Sequence, residues 1–398
     1  MSTPSELYRN AIDLNRFSNG VAKRIAIAYN DLVLDAVDQL RGIDELAAPA
    51  KAARLRAILA QLKQSLEGWA ESSTAIAIEE LQGLTVLQSE FVEDQLRKAL
   101  PVELRDQIRS VQISPQFAQS VATVDPTAIN VVSLSDDLQA AVTGAPQTFS
   151  LTAAQGTTIT LPNGKVLEKS FRGLAESQAD LFAKTVRNGL LIGESTDKIA
   201  KDLKGTLRFG QPGSARQIAQ AGGKVTAMAN RQVMALVRTS LNQVANEASQ
   251  QVYEANQDVT PRYRYVATLD SRTSPICRAL DGQEFEYGKG PKPPQHFNCR
   301  STTVPVIDYE ALGFKPPAPG KRAAQGGMVP ANQSYGQWLN SQSKETKADI
   351  LGPEKVPYFN RLARKYGPTD AIRKFVSQDG SELTLDQLKR RYSNGSSG

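Results

Sequence analysis

Apolar side chains recur every three to four residues through the first quarter of the chain, which is the spacing of one helix face. The first stripe stops at Gly42, and the third, over residues 76–100, ends at Pro101. The pattern predicts an antiparallel helical bundle over residues 1–112 whose core is made by the stripes. Docking of one stripe on a partner's helices is the alternative. The first two stripes consist of Ile25, Tyr29, Leu32, Ala36 and Leu40, and of Leu55, Ile58, Leu62, Leu66 and Trp69.

The periodicity is lost after residue 112 and returns near residue 174. Residues 113–172 are rich in Ser, Thr, Pro and Gly, and Asn163-Gly164 stands between two alternating runs. This dipeptide is typical of a two-residue β-hairpin turn. The segment is therefore predicted to be a linker that carries one hairpin. Helices are expected to resume over residues 174–191 and 196–204, and one long central helix is expected over residues 226–256.

Short strand patterns follow the long helix. Tyr263 and Tyr265 alternate with polar positions, Asp281-Gly282 marks a turn before a second short run, and residues 302–307 form a third. These runs predict a small antiparallel sheet with long loops. Such a sheet buries little surface, so a metal or a neighbouring helix layer must hold its loops. Residues 313–398 are predicted to be a Pro/Lys-rich linker followed by short helices.

These patterns together predict an α+β fold that is mostly α. It consists of an N-terminal helical bundle, a long central helix packed on a small antiparallel sheet, and a short helical C-terminal extension. At 398 residues the chain is long enough for two or three domains. The boundaries are placed at residues 1–112, 113–172, 173–312 and 313–398. No run approaches the ~18 apolar residues of a membrane-spanning helix, so no membrane span is expected.

Charge is modest overall, at +6, but unevenly placed. Residues 203–246 contain no Asp or Glu and carry six basic residues, which predicts a nucleic-acid-binding or partner-binding segment. Contacts of this kind would meet the phosphates of double-stranded DNA without reading bases, and they would weaken steeply with salt. An acidic patch on a partner protein, or a solvated basic face without any partner, are the alternatives. The six residues are Lys204, Arg208, Arg216, Lys224, Arg231 and Arg238.

The residues that could bind a soft metal are concentrated between residues 262 and 307. His296 is the only histidine of the chain, and Cys277 and Cys299 are its only cysteines. Thiolate and imidazole ligands suit zinc, which predicts one structural zinc held by these three side chains. A fourth ligand would come from Asp270, Asp281 or a water, because Ser274 stands where a C-x-x-C pair would supply one. Buried free thiols and a disulfide are the alternatives.

The sequence gives little support for catalysis. It lacks the H-E-x-x-H, P-loop, G-x-S-x-G and Rossmann patterns, so no enzymatic activity is expected. A zinc-dependent hydrolase is the second hypothesis, with Glu284 or Glu286 as base beside an open metal position. The first residues show no basic-then-apolar signal pattern, so we expect the protein to function in a reducing cytoplasm.

The motif D-x-R-T-S-P-I-C-x-x-L-D-G, followed by P-P-x-H-x-N-C-R-S-T, resembles the Mu F-like family of phage head morphogenesis (minor head) proteins. Members of that family often carry a cysteine where this chain has Ser274. The resemblance implies structural motif roles for six residues outside the cysteines and histidine. These are Arg272, Thr273, Asp281, Gly282, Asn298 and Arg300.

The same resemblance implies a function and a location. It implies a minor head (capsid) protein of a tailed phage, with residues 173–312 as the head morphogenesis domain. The expected partners are the phage portal and capsid proteins, together with packaged DNA. The expected location is the phage head of the virion, assembled in the host cytoplasm. On this basis the second hypothesis becomes a zinc-dependent hydrolase carried by the phage.

Overall fold

The computed structural model describes residues 3–111, 113, 167–209, 215–377 and 380–392. The hairpin predicted at Asn163-Gly164 lies outside these residues. Within them the chain is mostly helical with a small antiparallel sheet, which confirms the predicted α+β class. None of the described helices combines the length and the apolar character that crossing a membrane would require.

Two long helices open the chain. Helix α1 spans Thr3–Gln39 and helix α2 spans Ala48–Ala99, joined by Gly42 at φ 71° and a short 3-10 turn. The second and third predicted stripes therefore lie on one continuous helix rather than on two. Gly68 and Gly83 do not interrupt α2, because an interior glycine costs a helix only about 1 kcal/mol and the buried face offsets it.

The first two helices share one core with the helices that follow the undescribed segment. Trp69 of α2 lies between Tyr29 of α1 and Phe171, with ring centroids 5.4 Å and 5.9 Å apart. The stripes are thus buried inside this chain, as the bundle interpretation predicts. The partner helices are α3 (Leu167–Leu191), α4 (Thr196–Lys204), α5 (Ala215–Ala221) and α6 (Lys224–Ala255).

Helix α6 is the predicted long central helix and is buried on most of its surface, polar positions included. Its polar side chains attach the sheet. Gln250 Nε2 donates to Thr303 Oγ1 at 2.8 Å, and Asn246 Oδ1 accepts from the Thr303 amide at 3.2 Å. Asn242 Nδ2 donates to the Ser301 carbonyl at 3.0 Å. Because buried polar groups need partners, these bonds fix the position of the sheet on the helix.

The sheet has three antiparallel strands in the order β2-β1-β3. Tyr263 of the central strand pairs with Phe285 on one side and with Pro305 on the other. Pro305 lies on an edge strand, where its missing N–H costs no ladder bond. The strands are β1 (Arg262–Val266), β2 (Glu284–Glu286) and β3 (Thr302–Val306), and the short helix α7 (Pro275–Leu280) lies between β1 and β2.

The stretch after residue 312 that was predicted to be a linker leads into a β-hairpin. Residues 321–330 form a hairpin of β4 (Lys321–Ala324) and β5 (Gly327–Pro330), turned by Gly326 at φ 98° and Gly327 at φ 143°. The predicted short helices follow and enclose a second apolar core around Trp338. They are α8 (Tyr335–Asn340), α9 (Lys344–Leu351), α10 (Val356–Tyr366), α11 (Pro368–Arg373) and α12 (Leu385–Tyr392).

Candidate metal centre

The structure brings Cys277, His296 and Cys299 together. Their ligand atoms all lie within 4.8 Å of one another. Cys277 Sγ is 3.4 Å from His296 Nε2 and 3.8 Å from Cys299 Sγ. Both cysteines are free thiols and almost fully buried, at 1% and 2% exposure, and the imidazole is half-buried.

Two local structures place these side chains. Cys277 lies in the first turn of α7, where the Ser274 hydroxyl caps the helix by accepting from the Cys277 amide at 3.4 Å. His296 and Cys299 come from one tight turn, in which the Cys299 amide donates to the His296 carbonyl at 3.1 Å.

Asn298 makes that tight turn possible. Its φ is 60°, the left-handed region in which Asn is tolerated better than most residues. The turn is also attached to α6, because the Asn298 amide donates to Thr239 Oγ1 at 3.0 Å. The spacing H-x-N-C therefore encodes a backbone conformation that directs imidazole and thiol to the same side.

The distances fit a tetrahedral metal. Zinc binds sulfur at about 2.3 Å and imidazole nitrogen at about 2.0–2.1 Å, so two ligand atoms at tetrahedral angles lie roughly 3.8 Å apart for S···S and roughly 3.6 Å apart for S···N. Two of the three observed separations, 3.8 Å and 3.4 Å, are close to these values, and the third lies within 4.8 Å. Two thiols and one imidazole are also the donor types that zinc prefers.

The orientation of the imidazole supports the same assignment. His296 Nδ1 lies 2.8 Å from the Phe297 carbonyl oxygen. A carbonyl only accepts, so Nδ1 must carry a hydrogen and donate it. In the neutral ring Nε2 then holds the lone pair, and this is the atom that faces Cys277 and the Ser274 hydroxyl. A backbone carbonyl that fixes the tautomer in this way is usual for a metal-binding histidine.

The pKa values of the two thiols and the imidazole are shifted in different directions. Burial raises the pKa of the Cys299 thiol, but hydrogen bonds from Cys277 and His296 outweigh burial and hold that pKa well below its usual value. Burial and the neighbouring Cys299 both raise the pKa of Cys277. Burial lowers the pKa of His296, but the hydrogen bond and charge of Cys299 and the bond to the Phe297 carbonyl together raise it overall. Cys299 is therefore the first of the two thiols to supply the thiolate that a metal needs.

Asp270, which the sequence offered as the fourth ligand, is placed outside the group. Arg300 donates to both carboxylate oxygens of Asp270, at 2.6 Å and 2.8 Å, and Thr273 Oγ1 donates to one of them at 3.1 Å. Burial raises the pKa of Asp270, but the bonds from Arg300 lower it overall. Ser274 lies nearer the three ligands, with its Oγ 2.7 Å from His296 Nε2. A water or this hydroxyl is left to complete four-coordination.

Asp281 also lies outside the group, and its buried carboxylate bonds to three other segments of the chain. It accepts from the Ala267 amide at 2.7 Å and from the Tyr335 amide at 2.6 Å, and it pairs with Arg322 at 3.0 Å. Gly282 follows at φ 79° and turns the chain into β2. The carboxylate of Asp281 thus links the end of β1, the β4–β5 hairpin and the start of α8.

Arg272 and Thr273 complete the turn after β1. The Arg272 amide donates to Asp270 Oδ1 at 3.0 Å, and the Thr273 hydroxyl also donates to the Thr268 carbonyl. The Arg272 side chain itself is exposed and lies 3.4 Å from the Asp270 carboxylate.

The six residues of the predicted basic segment do not form one outward face. Arg238 is half-buried and donates to Asn19 Oδ1 at 2.7 Å and to Asn298 Oδ1 at 3.3 Å. Burial, with Arg272 and Arg300 nearby, lowers its pKa. Lys224 and Arg231 are exposed on α6, Arg208 is exposed after α4, and Lys204 is partly buried at the end of α4. The side chain of Arg216 is outside the described part.

Sequence reasoning missed two contacts of the group. Tyr265 OH lies 3.2 Å from Cys277 Sγ, and the Ser274 hydroxyl faces His296. The alternation of β1 could have shown Tyr265 pointing inward, but not toward which loop.

One family model matches the chain. It describes phage Mu protein F like protein, and it matches residues 180–304, which include Cys277, His296 and Cys299. This confirms the resemblance to that family over the matched segment, which is less than half of the chain. No curated protein and no solved structure matches.

Substitution at Asn298 tests the turn. Both Asn298→Ala and Asn298→Gly remove the amide side chain, but only Ala resists a φ of 60°. We expect the Ala variant to be less stable than the Gly variant by about 1–2 kcal/mol, measured as the free energy of unfolding in urea. Equal stability of the two variants would show that backbone conformation does not select Asn here.

Proposed function

We propose that this protein is a minor head (capsid) protein of a tailed phage that acts in head morphogenesis. The observation that carries the proposal is the match of residues 180–304 to the phage Mu protein F like family. That segment contains α6, most of the sheet and the thiol–imidazole group, so it is the structural centre of the described chain.

The proposal extends to partners and place. The protein is assembled with the portal and capsid proteins in the host cytoplasm, lies near the portal, and remains in the virion, where it contacts packaged DNA. The helical layers on either side of the sheet provide docking surfaces, while the matched segment acts as the platform.

We propose further that Cys277, His296 and Cys299 hold one structural zinc. Their donor types, separations and the fixed imidazole tautomer support this assignment. When bound, the metal supplies a cross-link between the turn at Cys299 and helix α7. The chain contributes the ligands, the buried surroundings and the carbonyl that orients the imidazole.

The same geometry disfavours a hydrolase, so we propose a structural role and no enzymatic activity. The two glutamates that could serve as base are engaged on β2. Glu284 pairs with Arg264 at 2.6 Å, and Glu286 pairs with Lys289. Among the described residues, neither glutamate is part of the group of Cys277, His296 and Cys299.

The metal assignment is tested by elemental analysis of the purified full-length chain. We expect about one zinc per chain, and loss of zinc in Cys299→Ser, because three protein ligands become two. Asp270→Asn is the matched control and should retain the metal, since Asp270 lies outside the group. Zinc-free wild-type protein, or zinc lost from Asp270→Asn while its fold is intact, would contradict the assignment.

The assembly role is tested in the phage that encodes the chain. Mass spectrometry of gradient-purified procapsids and virions should find the protein in both, and purified protein should co-sediment with portal. A non-structural protein from the same lysate serves as the control for carry-over. Absence from both particles would end the proposal.

A further inference from the structure

The C-terminal helices α10 and α12 pack on the same apolar core and meet where α12 ends. Their inner faces bury Phe359, Leu362 and Leu388 in the second apolar core. Arg361 of α10 donates to the carbonyl of Tyr392, the last residue of α12, at 2.8 Å. The exposed side chains of both helices therefore lie on the surface of one packed unit.

The two helices carry six exposed basic side chains, and five of them form no ion pair with another described residue. The acidic side chains nearby are paired with other basic residues. Asp370 is paired with Arg373, Asp386 with Lys389, and Glu382 with Lys355. The five residues, named below as the C-terminal basic surface, are Arg361, Arg364, Lys365, Arg390 and Arg391.

Aromatic rings order part of this surface. The Arg361 guanidinium lies 4.9 Å from the centre of the Tyr358 ring, and the ammonium groups of Lys365 and Lys374 lie 5.1 Å and 4.5 Å from that of Tyr366. Such cation–π contacts hold long basic side chains in place. Binding an anion then costs less side-chain entropy than binding to freely moving lysines would.

The spacing of the charges fits a double-stranded nucleic acid. Arg361, Arg364 and Lys365 occupy the face of α10 opposite its buried residues, at positions i, i+3 and i+4. A helix of 11 residues is about 16 Å long. Duplex DNA carries one negative charge per about 1.7 Å of its axis, so roughly ten phosphate charges pass along that length.

A protein partner fits this surface less well. Stable protein interfaces bury an apolar centre surrounded by a polar rim. Tyr366, at 40% exposure, is the single large apolar side chain exposed on the described residues of α10 and α12. The chemistry offered is therefore charge with little apolar area, which suits a uniformly charged backbone.

We propose that the C-terminal basic surface binds the phosphate backbone of double-stranded DNA without reading its base sequence. The inference rests on the proposed function only in taking packaged duplex DNA as the polyanion. It assigns DNA contact to α10 and α12, rather than to the segment of residues 203–246 that the sequence favoured.

Fluorescence anisotropy with a labelled random duplex of about 25 base pairs tests the assignment on the full-length protein. The variant Arg361→Gln/Arg364→Gln/Lys365→Gln should bind at least ~10-fold more weakly, and the slope of log K against log salt should fall by about 2.7, at about 0.9 per charge. Arg390→Gln/Arg391→Gln leaves the hydrogen bond of Arg361 to Tyr392 intact and should lower the slope by about 1.8.

Two control variants separate this surface from net charge. Arg54→Gln/Arg56→Gln/Lys63→Gln removes three exposed charges from α2, and Lys224→Gln/Arg231→Gln removes two from α6. Both should bind as the wild type does, within about twofold. Equal weakening in the α2 control would mean that net charge alone acts. If only the α6 variant lost duplex binding, the DNA contact would belong to residues 203–246 instead.

The remaining outcomes distinguish this inference from the proposed function. Wild-type protein that is present in virions but binds no duplex at low salt would overturn the inference and leave the head-assembly role standing. Single-stranded DNA bound as tightly as duplex would contradict the duplex assignment. Duplex binding by a protein absent from heads would support the surface and overturn the assembly role.

Discussion

The structure depends on the convergence of three side chains, from one short helix and one tight turn, onto one point. The sheet that they adjoin has strands of only five, three and five residues. Residues 267–274 and 287–301 have almost no strand pairing of their own. So small a sheet gains little from burial, and its long connections must be fixed by specific contacts. Cys277, His296 and Cys299 provide one such contact, and the polar side chains of α6 provide another.

The two carboxylates of the motif, Asp270 and the buried Asp281, extend this arrangement outward. Asp270 holds Arg300 directly after the Cys299 turn, and Asp281 holds Arg322 and the start of α8. Each joins segments that are distant in sequence, so the motif organises the C-terminal unit as well as the sheet. A buried ion pair of this kind adds little net stability, but loss of one partner leaves an uncompensated charge. These pairings explain why the two acidic residues of the motif do not belong to the group formed by Cys277, His296 and Cys299.

The sequence predicted what is local or rare. The period of apolar residues was sufficient for α1, for the long helix α6 and for the C-terminal helices, and the alternation of Tyr263 and Tyr265 was sufficient for β1. The thiol–imidazole group was found because its residue types occur nowhere else in the chain. Its geometry was not, since φ at Asn298 and the Phe297 carbonyl contact depend on the folded turn.

What the sequence could not show are pairings across long separations. Asp270 and Arg300 are 30 residues apart, and Asp281 and Arg322 are 41 apart. Neither pairing has a periodic signal, so both aspartates remained candidate ligands. Arg238 belonged to an acid-free run, yet its position on α6 turns it inward toward Asn19 and Asn298. Composition counts charges along the chain, whereas a surface forms only where helices such as α10 and α12 meet.

X-ray absorption at the zinc edge, on protein loaded with one equivalent of zinc, tests whether the two thiols and the imidazole form a metal centre. We expect two sulfur ligands at about 2.3 Å and nitrogen or oxygen ligands at about 2.0–2.1 Å in a four-coordinate site. A spectrum with only nitrogen and oxygen neighbours, or zinc that washes off without a defined site, would show that the two thiols and the imidazole meet without forming a metal centre.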